Sequence, residues 1–123
     1  MAQQILVVDD DQLVRRTVQR ILKTNGLYAV TAEDGEDCLK KLDEGFKGLI
    51  LMDISMPGKD GWQTIEEMIQ KGYTDGNIIC MLTGKETPDK KMEQFKEYVL
   101  DYIRKPFKND QLVAIVKEYL AYL

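Results

Sequence analysis

Five short apolar runs rich in β-branched residues recur along this chain: Ile5 to Val8, Tyr28 to Thr31, Leu49 to Met52, Ile78 to Leu82 and Val99 to Ile103. Each is bounded by polar or glycine-containing segments, as strands are. Between them the apolar spacing shifts to a helical period, with Val14, Val18, Ile21 and Leu22 in one segment, Cys38, Leu39 and Leu42 in the next, and Ile65, Met68 and Ile69 in a third. The clearest helix is the last, which carries Leu112, Val116, Tyr119, Leu120 and Leu123 on one face. From Pro88 to Lys96 only Met92 and Phe95 offer apolar anchors among many charges, which predicts a short helix held weakly to the core. Asn25 with Gly26 suits the end of the first helix, and Pro88 the first turn of the fourth. Strand and helix alternating in this way, with short connections, predict an α/β fold: a parallel sheet covered by helices on both faces.

A chain of 123 residues that is 44% hydrophobic can bury one core and is short for two, so residues 1–123 are expected to form one domain. With 17 basic and 21 acidic side chains the net charge is −4, which argues against charge-driven binding to nucleic acid or anionic membrane. The start MAQQILVVDD lacks a basic leader region, and no apolar run is long enough to cross a bilayer, so a cytoplasmic location with no membrane insertion is expected. Cys38 and Cys80 fall in apolar patterns and read as small core residues rather than a disulfide. The chain has no histidine, which removes histidine general bases, Cys-His nucleophiles and His-containing zinc sites together. Any chemistry must run on carboxylates, hydroxyls or lysine.

In open α/β sheets ligands bind beyond the carboxyl ends of the strands, so the residues that follow each apolar run matter most. After the first come Asp9, Asp10 and Asp11; after the third, Asp53; after the fourth, Thr83; after the fifth, Lys105 and Pro106. Carboxylates from two strands at one sheet edge would repel and raise each other's pKa unless a cation shared the site. Mg²⁺ suits that position, since it prefers oxygen ligands and commonly joins one or two carboxylates to a phosphate. Thr83 and Lys105 add a hydroxyl and a positive charge, which a phosphoryl group needs from its surroundings. Each residue also has an ordinary structural reading: Asp11 as the N-cap of the first helix, Thr83 satisfying a loop amide, Lys105 as a solvated charge. Their joint occurrence at strand ends favours a carboxylate that becomes phosphorylated.

The segments ILVVDDD, LILMDISMPGKDG, IICMLTG and DYIRKPF give the chain a strong resemblance, over nearly its whole length, to the receiver domains of two-component response regulators, the single-domain, chemotaxis-regulator-like kind included. That resemblance implies a flavodoxin-like (βα)5 doubly wound sheet in strand order 2-1-3-4-5. It implies Asp53 as phosphoacceptor, with Mg²⁺ held by Asp10 and Asp53, by Asp9 through a water and by the Ser55 backbone carbonyl. Lys105, the Thr83 hydroxyl and the Gly84 amide would contact the phosphoryl oxygens, and Pro106 would follow a cis peptide. Thr83 and Tyr102 would form the switch, changing the surface of helix four, strand five and helix five.

Without a histidine of its own, the chain would take its phosphoryl group from a sensor histidine kinase or a histidine phosphotransfer protein. The family's slow self-dephosphorylation would be tuned at Ser55 and Lys85. Gly84 stands where alanine is frequent in this family. Ile115 stands where receivers that dimerise through Asp101 usually have arginine, which argues against that ion pair.

Two other readings are open to the sequence. Asp9 and Asp11, with Thr83 and Lys105, also resemble the first three motifs of haloacid-dehalogenase-like phosphatases, with Asp9 as nucleophile. That family needs a further acidic pair after the lysine, where this chain has only Asp110 and Glu118 on the last helix, and it would leave Asp53 without a role. The other is a receiver-like module that binds partners without being phosphorylated. Neither GxxxxGK[ST] nor GxGxxG occurs.

Overall fold

The computed structural model describes residues 4–84 and 90–123. In chain order the elements are β1 (Ile5–Val8), α1 (Gln12–Thr24), β2 (Ala29–Ala32), α2 (Gly35–Asp43), β3 (Leu49–Asp53), α3 (Gly61–Gln70), β4 (Ile78–Thr83), α4 (Lys90–Gln94), β5 (Val99–Arg104) and α5 (Asn109–Leu120). The strands pair in parallel in the order β2-β1-β3-β4-β5, the flavodoxin-like sheet expected above. Because the chain moves outward from β1 to β2 and then crosses back to β3, the carboxyl ends of β1 and β3 form the topological switch point where such folds bind ligands.

The period-2 geometry of a strand divides the core into two layers. Leu6, Val8, Ile50, Met52, Ile79 and Met81 pack against α2 and α3 through Cys38, Leu42, Ile65 and Met68. Ile5, Val7, Leu49, Leu51, Cys80 and Leu82 pack on the other face against α1 and α5 through Val18, Leu22, Leu112 and Val116. The central strands β1, β3 and β4 are buried throughout, which is why they read as continuous apolar runs. Both cysteines are free and buried, and burial pushes each thiol up to about 12, so neither is a reactive thiolate.

The structure departs from the sequence reading at element ends. β2 runs one residue later than expected, and Tyr28, at 68% exposure, lies outside it on the open edge of the sheet. α5 stops at Leu120, leaving Leu123 exposed and Tyr119 half-buried, while Val113 takes a core position. The closing turn carries Leu123 off the apolar stripe. α1 ends as expected, with Asn25 as C-cap and Gly26 at φ 76°. α4 contributes no buried residue; Met92 is half-buried, and Phe95, just past the helix end, is buried. Pro88 and Lys85 lie outside the described residues.

Candidate functional site

The three consecutive acids after β1 are separated by their local backbone roles. Asp9 prolongs the ladder by donating its amide to the Ala32 carbonyl at 3.2 Å, which turns its side chain into the protein, where it is 1% exposed. Its Oδ1 accepts the Asp11 amide at 2.9 Å, and its carbonyl accepts Arg15 Nη1 at 2.7 Å. Asp11 is the N-cap of α1, its Oδ1 accepting the Leu13 amide at 2.9 Å. Asp10, between them, is exposed.

Asp53 ends β3 and is buried. Its main chain is walled by Gly61, where an added Cβ would lie 2.6 Å from the Asp53 carbonyl oxygen and 2.8 Å from the Met81 Cε. The Gly61 amide donates to the Ile54 carbonyl at 2.9 Å, and the Asp60 capping box fixes the start of α3 beside it. Any side chain at residue 61 would push α3 off the strand that carries Asp53.

From β5, Lys105 reaches across the sheet end. Its amide donates to the Thr83 carbonyl at 2.8 Å, and the Lys105–Pro106 peptide is cis. Its Nζ lies 2.8 Å from Asp9 Oδ2 and 3.3 Å from Asp53 Oδ1. Carboxylate oxygens of Asp9, Asp10 and Asp53 all fall within 4.8 Å of one another. Burial, then repulsion from Asp9, pushes the Asp53 carboxyl up to about 6 against the pull of Lys105 and the Ser55 amide. At Lys105 burial works against the ammonium, but the hydrogen bonds and charges of Asp9 and Asp53 outweigh it and hold the pKa above the ordinary lysine value. One ammonium thus faces three carboxylates, and the donors are all hard oxygens. That donor set fits a hard divalent cation such as Mg²⁺.

Thr83, the buried last residue of β4, pairs in register with Arg104, one residue before Lys105. Gly84 is exposed, with open space where a Cβ would stand. Ser55 is exposed, and its amide donates to the Asp53 carboxylate. Tyr102 lies opposite Met81, its hydroxyl oxygen buried and its ring centroid 6.4 Å from that of Trp62, so the aromatic of β5 faces the core in this structure. Both Asp101 oxygens are used within the chain, by the Tyr102 amide at 2.8 Å and the Tyr119 hydroxyl at 3.0 Å. Beside Lys105, an apolar hollow of about 430 Å³ is lined by Leu13, Val14, Thr17, Pro106 and Phe107, with Leu13 67% exposed.

The fold therefore brings Asp9, Asp10, Asp53 and Lys105 together and sets Thr83 and Ser55 at their rim. It withholds Asp11, the second acid of the phosphatase reading, which is committed to capping. The sequence alone does not single out the Arg15 tether or the Gly61 wall. For Gly61 a signal existed in the Asp60-Gly61 pair at the start of a helix; for Arg15 nothing in the spacing singles it out.

Comparison with known proteins agrees with this geometry. The family model for the response regulator receiver domain matches residues 5–117. The phosphate regulon transcriptional regulatory protein PhoB of Escherichia coli is 35% identical over 117 residues, covering 95% of this chain and 51% of that protein. Protein PilG of Pseudomonas aeruginosa is 30% identical over 119 residues, covering 94% of this chain and 86% of that one. The chain thus spans about half the length of PhoB and most of PilG. Among solved structures, a CheY-like receiver domain protein from Methanospirillum hungatei superposes with a TM-score of 0.91 at 41% identity, covering 98% of this chain and 95% of the other. The chain belongs to the response regulator receiver domain family, the phosphorylation-based signalling switches of two-component systems.

Proposed function

We propose that Asp53 is the phosphoacceptor of this switch, loaded by a phosphohistidine on a sensor histidine kinase or histidine phosphotransfer protein. The observation that carries this reading is the convergence of Asp9, Asp53 and Lys105 at the switch point, with Nζ 2.8 Å from Asp9 and 3.3 Å from Asp53. In the transfer an Asp53 carboxylate oxygen forms a bond to phosphorus while the donor's N–P bond breaks and its electron pair returns to the imidazole. Lys105, the Thr83 hydroxyl and the Gly84 amide receive the phosphoryl oxygens. Asp10 and Asp53, with Asp9 through a water and the backbone carbonyl of Ser55, are the residues that would hold Mg²⁺, which when bound supplies positive charge against those oxygens. Slow return to the resting form follows when water attacks phosphorus and releases the Asp53 carboxylate, a step open to tuning at Ser55.

Thr83 and Tyr102 carry the consequence outward to α4, β5 and α5, a population shift between two arrangements of that surface. The apolar rim at Leu13 and Phe107 beside Lys105 gives a protein donor a place to rest. The protein works in the cytoplasm on protein partners rather than on nucleic acid, consistent with its net charge of −4; among the described residues no helix is long and apolar enough to cross a membrane.

The test is intact-mass analysis after incubation with Mg²⁺ and acetyl phosphate, with Asp53→Asn and Asp9→Asn alongside. A base-labile adduct mapped to Asp53, requiring Mg²⁺ and absent from Asp53→Asn, supports the reading. An adduct on Asp9 would revive the phosphatase chemistry, and no adduct on a folded, Mg²⁺-binding protein would leave a constitutive binding module.

A further inference from the structure

Among the described residues α4 is the least anchored helix, with none of its residues buried, and its half-buried Met92 packs against the same core layer as Tyr102 of β5. Its buried attachment is Phe95, immediately past its last residue and 4% exposed. The Phe95 ring lies 5.5 Å from that of Trp62 with an interplanar angle of 15°, a stacked pair, and Trp62 also borders Tyr102. Trp62 is itself 4% exposed and is the second residue of α3, directly after the Gly61 that abuts the Asp53 carbonyl. A continuous packed path thus runs from the Asp53 main chain through Gly61 and Trp62 to Phe95 and α4.

The Trp62 indole N–H is buried and has no hydrogen-bond partner among the described residues. The indole meets Phe95 and Tyr102 through its ring, so these contacts use its area and flat face rather than its polar atom. We propose that Trp62 is a positioning residue that holds α4 on the body of the protein through Phe95 and links its placement to the state of Asp53. The indole acts by stacking, so a phenyl ring can replace it and an aliphatic side chain cannot. The link to Asp53 rests on the phosphoacceptor reading; the clasp on α4 does not.

Lys96, one residue past Phe95, makes the clasp measurable by native-state trypsin digestion, because cleavage there requires the α4 end to lift from the body. In the metal-free protein, Trp62→Leu should speed cleavage after Lys96 by about tenfold, with cleavage after Lys41 and Lys117 changing by less than about twofold. Trp62→Phe should stay within about threefold of the parent, the rescue that a stacking role requires. Phe95→Leu removes the same contact from the other side and should match Trp62→Leu, with the double variant no faster than either alone. Should Trp62→Leu fail to fold, Phe95→Leu decides the matter.

Cleavage after Lys96 unchanged in both leucine variants, or accelerated equally at every site, or accelerated in Trp62→Phe as much as in Trp62→Leu, would overturn the clasp. With Mg²⁺ and acetyl phosphate, the parent's cleavage after Lys96 should change by about threefold or more and that of Trp62→Leu should not, while Asp53 adducts form in both. An adduct with no change in the parent breaks the link to Asp53; absence of any adduct breaks the phosphoacceptor reading and leaves the metal-free result to judge the clasp.

Discussion

The two helices that flank β5 differ sharply in how they are held. α5 runs for 12 residues and buries Leu112, Val113, Val116 and Leu120 against the sheet, whereas α4 runs for five and buries none. One strand therefore has a fixed neighbour on one face and a loosely seated one on the other. The acids of the site stand on the fixed side of this division, Asp9 and Asp53 at the ends of strands that are buried throughout. If Asp53 is the phosphoacceptor proposed above, its modification would have least freedom to move the buried strands and α5 and most to move α4. On the proposed role of Asp53, this asymmetry would give the switch its direction.

The contrast can be tested by unequal effects. Leu112→Ala, at a fully buried position of α5, should destabilise the fold by about 2–5 kcal/mol in urea titrations. A loss below about 1 kcal/mol would mean that α5 is no better anchored than α4.

Asp53→Asn should act in the opposite direction in the metal-free protein. The carboxyl titrates near 6 when folded and near 3.8 as an ordinary aspartate, so the folded form binds its proton more tightly. Stability should then fall as pH rises from about 4 to about 6 and stay low above, a loss of up to about 3 kcal/mol that the asparagine variant escapes. Urea titrations in EDTA should show the variant more stable near pH 7 and equal to the parent near pH 4; equal stability at both would place Asp53 outside a desolvated, like-charged site.

Met92→Ala, in α4 and half-buried, should cost less than about 1 kcal/mol. Smallest of all, Gly84→Ala has open space for its Cβ and no positive φ to relieve, and should stabilise by about 0.5 kcal/mol through the unfolded chain. A thermal melt that shows destabilisation instead would place a hidden constraint at the end of β4.

Much of this division was legible in the sequence. The central strands announce themselves because burial on both faces leaves only apolar residues, and the site acids follow directly at their ends. The weak seating of α4 was visible in the scarcity of apolar residues between Pro88 and Lys96. The stack of Trp62 on Phe95 was not, because it joins residues far apart in sequence and no local period encodes which aromatic meets which. The Gly61 wall escaped for a similar reason, since close approach to Asp53 is a property of how α3 docks. Tyr28 and Leu123 were misplaced where an apolar run continues past the point at which the sheet edge or the helix end still offers cover. Arg15 reads as one of several charges on α1 until the turn after β1 presents the Asp9 carbonyl to it.

Coupling between Asp53 and α4 is tested most directly by amide hydrogen exchange on the protein with and without Mg²⁺ and acetyl phosphate, run beside Asp53→Asn. Altered exchange is expected to concentrate in residues 90–104, with little change over residues 112–120 and no response in the variant. An equal response in α4 and α5, or none despite a mapped Asp53 adduct, would contradict that coupling.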